Sequence, residues 1–180
     1  VNLLTYSTLQ GAVAGSPGTA PTGWAITGTS STMLSVTPDG AGNNVIVLSA
    51  SANRVFYTQA LSVPANTTVL YYLTCTQNTG NIQVSQIISM AGLPAGATTT
   101  FVANGADVLG TYVPTAGDVI GYRLTTSATA GTPTMRWGVG VNSISTSDVG
   151  FTKLQVNYGP TALPYQRITT AANYDTAGFP

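Results

Sequence analysis

The chain has 180 residues, and its five Asp residues balance five Lys and Arg residues to a formal net charge of zero. It contains no His and no Glu, so a Ser-His-Asp or Cys-His nucleophile pair and an imidazole metal site are excluded. Its few basic residues are scattered and do not form the cationic cluster that phosphate binding needs, so we expect no nucleic-acid partner.

Hydrophobic residues make up 43% of the chain, and most of the polar residues are Thr, Ser, Asn and Gln. The β-branched and aromatic types are spread throughout, which is typical of a β protein with an uncharged polar surface. The lone cysteine, Cys75, excludes an internal disulfide. No run of about 18 apolar residues occurs, so we expect no membrane span.

Short apolar runs follow one another along the chain, separated by Gly, Pro, Asn and Asp residues that favour turns. A first strand is predicted at 3–6, before a Gly-rich loop. The other predicted strands are 24–27, 33–37, 44–48, 54–63, 68–76, 82–90, 98–103, 119–125, 134–141 and 151–158. This spacing indicates an all-β fold, a two-sheet antiparallel β-sandwich of the jelly-roll type with almost no helix. We assign 1–160 to this domain and 161–180 to an extended C-terminal arm or linker.

Side-chain alternation predicts which face of each strand lies in the core. In strand 68–76 the inward residues are Val69, Tyr71, Leu73 and Cys75. In strand 151–158 they are Thr152, Leu154, Val156 and Tyr158, which leaves Phe151 outside. In strands 82–90 and 134–141 they include Ile82, Val84, Ile88, Met90, Met135, Trp137 and Val139. Trp24 follows a loop, and its position fits either the core or an exposed sugar platform.

The turn around Pro64 predicts a hairpin between strands 54–61 and 69–76. A turn centred on Pro64 places Phe56 opposite Tyr72, and Thr58 opposite Leu70, on the outer face. The apolar group Phe56, Leu70 and Tyr72 is a candidate contact for a sugar or another subunit. Alternatively, a second sheet, the N-terminal loop or the C-terminal arm covers it.

The short connection 126–133 predicts a second hairpin, between strands 119–125 and 134–141. Pairing Tyr122 with Trp137 keeps both apolar faces in register and places Arg123 opposite Arg136 on the outer face. Two Arg side chains directly across a ladder repel each other, so we expect a partner's carboxylate, carbonyl row or sugar to use them. The alternatives are a shifted register or two solvated side chains.

The carboxylates show no catalytic or metal-binding pattern. Asp107 and Asp118 are the closest pair in sequence, but each follows a glycine-containing stretch and is expected as a turn residue. Calcium binding usually needs several carboxylates in one short loop, which the chain does not have. We therefore expect no catalytic residue, no metal and no cofactor.

Several stretches together carry a resemblance to a known family. They are residues 2–7 (NLLTYS), 23–24 (GW), 54–59 (RVFYTQ), 67–71 (TTVLY), 154–167 (LQVNYGPTALPYQR) and 169–175 (TTAANYD). Their order resembles the carbohydrate-binding-module-like jelly-roll domains of tailed-bacteriophage virion proteins, which include head-spike, head-fibre and tail-fibre proteins. The acidic residue common near the last strand of that family is absent, since Val156 and Asn157 stand there.

The resemblance implies a location on the virion surface and a structural protein, such as a head fibre, a capsid decoration or a tail-fibre module. Such a protein contacts other virion proteins and copies of itself rather than acting as an enzyme. An uncharged surface suits a permanent assembly because no ions need to be desolvated. The alternative is a carbohydrate-binding module that attaches the virion to host or mucosal glycans.

Overall fold

A computed structural model describes residues 3–4, 6–16, 18–27, 31–50, 55–139 and 147–168. In chain order its elements are β1 (Ala25–Thr27), β2 (Ser31–Pro38), β3 (Asn44–Ala50), β4 (Val55–Ala60), β5 (Thr68–Asn78), α1 (Val84–Ile87), β6 (Ile88–Ala91), β7 (Thr98–Ala103), β8 (Ala106–Val108), β9 (Val119–Thr125), β10 (Thr134–Val139) and β11 (Ser147–Tyr158). No described helix is long and apolar enough to cross a membrane.

The strands form two antiparallel sheets. The small sheet has the order β1-β4-β10-β6, and the large sheet has the order β2-β3-β11-β5-β9-β7-β8. The predicted all-β, two-sheet antiparallel sandwich with almost no helix is therefore confirmed. Within the predicted strand 82–90, a helical turn precedes β6, and the side chains of Gln83 and Gln86 cap it reciprocally.

Aromatic side chains fill the space between the two sheets. The Trp137 ring stacks on Tyr57 with the centroids 4.5 Å apart, and it meets Trp24 and Phe151 edge-on at 5.8 Å and 5.4 Å. The predicted inward residues of β5, of β10 and of the 82–90 segment are all buried. Trp24 is also buried, so it is a core residue rather than an exposed sugar platform.

A bulge in β11 changes which of its side chains face the core. Lys153 adopts a left-handed conformation with φ 55°, and the pairing with β5 shifts between Thr152 and Gln155. The extra residue brings both Phe151 and Leu154 to the inner face, where they are fully buried. The prediction that Phe151 lies outside is therefore wrong. Tyr158 stands opposite the buried Val69, in the predicted inward register, but it is half exposed at the end of β11.

Neither predicted hairpin forms, because consecutive strands are divided between the two sheets. β4 pairs with β1 and β10, whereas β5 pairs with β11 and β9. In the same way β9 belongs to the large sheet and β10 to the small one. The chain therefore crosses between the layers at the Pro64 turn and again at 126–133, as Greek-key connections of sandwiches do.

Candidate binding surfaces

The chain's own C-terminal segment covers the part of the large sheet's outer face around Tyr72. Leu70, Tyr72 and Val102 form a small apolar cluster on this face, and all three are buried. The Tyr72 hydroxyl donates to the Leu163 carbonyl at 2.7 Å and accepts from the Leu163 amide at 3.1 Å. The prediction of Leu70 and Tyr72 as an exposed contact group is therefore wrong, and the stated alternative, cover by the C-terminal arm, is what the structure has.

Further hydrogen bonds hold residues 161–168 on the sheet. The Asn157 side-chain amide donates to the Thr161 carbonyl at 3.0 Å, and the Gln166 backbone amide donates to Gln155 Oε1 at 2.6 Å. At the end of the described segment, Ile168 is buried and exchanges hydrogen bonds with Ser7. This part of the predicted arm thus packs on its own sandwich.

A cleft of about 380 Å³ opens between this C-terminal segment and the sheet. Its polar lining includes the side chains of Tyr72, Thr74, Asn104, Lys153, Thr161 and Tyr165. This cleft was not predicted from the sequence. The available signal was the run 69–73, which is apolar on both faces of the strand and so indicates a strand covered on both sides.

Most polar groups of the cleft wall already have hydrogen-bond partners. The Tyr165 hydroxyl donates to Asn43 Oδ1 at 2.7 Å, and the Asn104 side-chain amide donates to Asp118 Oδ1 at 2.7 Å. Burial raises the pKa of both Tyr72 and Tyr165 to about 12, so both phenols stay protonated and neutral at physiological pH. Apart from Lys153, the wall is consequently a fixed, uncharged surface.

Lys153 is the charged side chain of this lining, and no carboxylate of the described residues lies at ion-pair distance from it. Asp39 is near enough for the lysine's positive charge to help lower its pKa. Burial opposes that shift, but hydrogen bonds from Asn43 and the Ala41 amide outweigh it. The Asp39 carboxylate is thus hydrogen-bonded within its own turn and forms no ion pair with Lys153.

The two arginines of the predicted pair lie on different sheets. Arg123 stands opposite Leu70 and Thr100 on the large sheet and forms an ion pair with Asp107 at 2.7 Å. Arg136 lies in the small sheet, on the strand face opposite to the buried Trp137. The predicted Arg123–Arg136 site is therefore wrong, because the expected hairpin does not exist.

Arg136 occupies the centre of a flat surface, the small-sheet outer face. Thr58 and Ser89 flank it on the neighbouring strands, and Ala60, Ala91 and Thr134 form the adjacent row. Its guanidinium has no hydrogen bond or ion pair to a described residue, and the Nε atom is shielded from solvent without a partner.

Phe56, the remaining predicted contact residue, pairs through its backbone with Thr27 and Gly138, and its side chain lies outside the described part.

The described residues bring together no group of side chains typical of a catalytic or a metal-binding site. Asp118 accepts hydrogen bonds from Asn104, Tyr112 and Thr115, so it closes a turn as predicted. Burial raises the pKa of the Cys75 thiol to about 11, which leaves it unreactive. The described residues contain no cluster of three acidic, Cys or His side chains suited to a metal ion.

No protein-family model and no curated protein sequence matches the chain.

Proposed function

We propose that the chain is a non-catalytic structural module of a bacteriophage virion surface that acts through contacts with copies of itself and with other virion proteins. The observation that carries the proposal is Arg136, a cation without a partner among the described residues, at the centre of the small-sheet outer face. The resemblance of the sequence motifs to virion jelly-roll domains supports the location.

The composition of the small-sheet outer face supports a protein contact. The cores of protein interfaces are enriched in Arg and depleted of Lys, Glu, Asp, Ser and Ala, so Arg136 and the absence of described acidic or Lys side chains favour a contact, whereas the Ser and Ala residues do not. Apart from Arg136, the described outward residues of β4, β6 and β10 are Thr, Ser, Ala and Gly. A shielded guanidinium nitrogen without an acceptor costs about 1–3 kcal/mol, which a carbonyl or carboxylate of a neighbouring subunit offsets.

The experiment is a measurement of native mass by light scattering across a range of concentrations. We expect a mass that is a multiple of 18.3 kDa, and we expect Arg136→Gln to shift the equilibrium toward the monomer. Arg123→Gln is the matched control, because it removes an exposed ion pair on the other sheet and should leave the mass unchanged. A wild-type chain that stays monomeric when concentrated contradicts self-assembly.

A second function, a glycan-binding module, is favoured by the cleft beneath the C-terminal segment. Its volume lies at the small end of the range for ligand sites, and its walls combine apolar surface with fixed hydroxyl and amide groups. Tyr158 adds an exposed ring in a shallow groove beside Pro64 and Gly131. Titration of simple sugars, followed by NMR shifts of the cleft residues, tests this function.

A further inference from the structure

Lys153 is strained and forms no ion pair with a described residue, and it lies in the cleft between the C-terminal segment and the large sheet. A left-handed backbone is unfavourable for a residue with a side chain. Backbone strain of this kind clusters at functional sites, where the surrounding structure maintains it. The strand bulge therefore places a cation in a cleft whose other walls are uncharged.

Three side chains of the cleft keep their hydrogen-bonding capacity. Lys153 Nζ and the hydroxyls of Thr74 and Thr161 have no side-chain hydrogen bond to a described residue, whereas Tyr72, Tyr165 and Asn104 are engaged. The engaged groups fix the shape of the cleft, and the three free groups remain for a ligand. This combination fits a small polyhydroxy ligand that carries one negative charge.

We propose that the cleft selects carboxylated sugars, with Lys153 pairing with the carboxylate and the hydroxyls of Thr74 and Thr161 bonding to ring hydroxyls. The inference rests on the second function, glycan binding, and adds the substrate class. A hexuronic acid fits this chemistry because it is a hexose whose CH₂OH group is replaced by a carboxylate. The nearby Asp39 carboxylate accepts bonds from Ala41 and Asn43 and forms no ion pair with Lys153, so a ligand carboxylate has to bind Lys153 more closely than Asp39 does.

The test is a calorimetric or NMR titration of the full chain with D-glucuronate, D-glucose and acetate. We expect glucuronate to bind about tenfold more tightly than glucose or acetate. Lys153→Gln, which keeps the length and polarity of the side chain, should reduce glucuronate affinity to that of glucose. Arg123→Gln is the matched control, because it removes a cation that pairs with Asp107 and does not line the cleft, so the glucuronate affinity should stay the same. Unchanged melting temperatures establish that both variants are folded.

The possible failures separate the two proposals. Equal binding of glucuronate and glucose, or full glucuronate affinity in Lys153→Gln, overturns the charge selection while glycan binding stands. Acetate binding as tightly as glucuronate also overturns it, because the sugar ring then contributes nothing. If none of the three ligands binds, both the charge selection and the glycan-binding function fall.

Discussion

At the scale of single residues, two adjacent tyrosines of β5 carry their hydroxyls into different surroundings. Tyr72 points outward and clamps the backbone of Leu163 through two hydrogen bonds. Tyr71 points into the core, where its hydroxyl has no hydrogen-bond partner among the described residues and burial raises its pKa well above the usual value. The same chemical group therefore stabilises the fold at one position and not at the next.

Tyr72→Phe and Tyr71→Phe form a matched pair. We expect Tyr72→Phe to lower the free energy of unfolding by about 1–3 kcal/mol, because it leaves the Leu163 amide and carbonyl without their partner. Tyr71→Phe removes a buried hydroxyl without a partner, so the free energy of unfolding should stay the same or rise. Urea denaturation of both variants measures the difference. A larger loss in Tyr71→Phe would contradict the assignment.

Asp118 makes stability depend on pH in the acidic range. Burial raises the pKa of its carboxyl, but hydrogen bonds from Thr115, Asn104 and Tyr112 outweigh burial and bring the pKa below the ordinary 3.8. A lowered folded-state pKa gives stability that is present above about pH 4 and is lost as the pH falls further. Melting curves between pH 5 and pH 2 should therefore show a smaller loss for Asp118→Asn than for the wild type. An equal loss would show that the carboxylate contributes nothing.

At the level of single strands, the bulge at Lys153 determines which side chains of β11 point into the core. Its left-handed backbone is unfavourable for any residue with a side chain, and more so for a β-branched one. We expect Lys153→Gly to raise the free energy of unfolding by about 1 kcal/mol and Lys153→Val to lower it. Both variants lose the positive charge, so their difference does not depend on the charge. A more stable valine variant would contradict the bulge geometry.

The positions of most strands follow from local sequence, whereas their pairing does not. Alternation in β5 identified Tyr71 and Leu73 as core residues, because one face of the strand packs against the second sheet. The division of β4 and β5 between the sheets depends on long-range packing, which a turn at Pro64 does not report. Nothing in the sequence indicates a left-handed conformation at Lys153, so the bulge was not predicted. Without the bulge, the alternation pattern placed Phe151 on the wrong face of the strand. The Arg123–Arg136 pairing failed for the same reason as the first hairpin.

At the scale of the whole molecule, the two outer faces of the sandwich differ. Residues 161–168 cover the large sheet over β5 and β11, and the small-sheet outer face carries Arg136 without a described partner. The covering segment is expected to be part of the stable fold, because it buries Ile168 and satisfies side chains of β5 and β11.

Two truncations measure the contribution of the covering segment. A chain ending at residue 160 should be less stable than a chain ending at residue 168 by at least about 3 kcal/mol. The difference between the two reports residues 161–168 alone, through the lost burial of Ile168 and the unpaired Tyr72 hydroxyl. Equal stability of the two truncations would show that the segment rests on the sheet without stabilising it.

The proposed assembly of the chain through its small-sheet outer face can be tested at single positions. Its most direct measurement is the rate of maleimide labelling of Ser89→Cys, which lies beside Arg136, and of Thr100→Cys, which lies beside Arg123 on the large sheet. Cys75 is buried, so the introduced cysteine supplies the reactive thiol in each variant. We predict that labelling of Ser89→Cys slows sharply in concentrated, assembled protein relative to dilute monomer, whereas labelling of Thr100→Cys keeps its rate. An unchanged rate at Ser89→Cys in the assembly, or protection at Thr100→Cys instead, would contradict the claim.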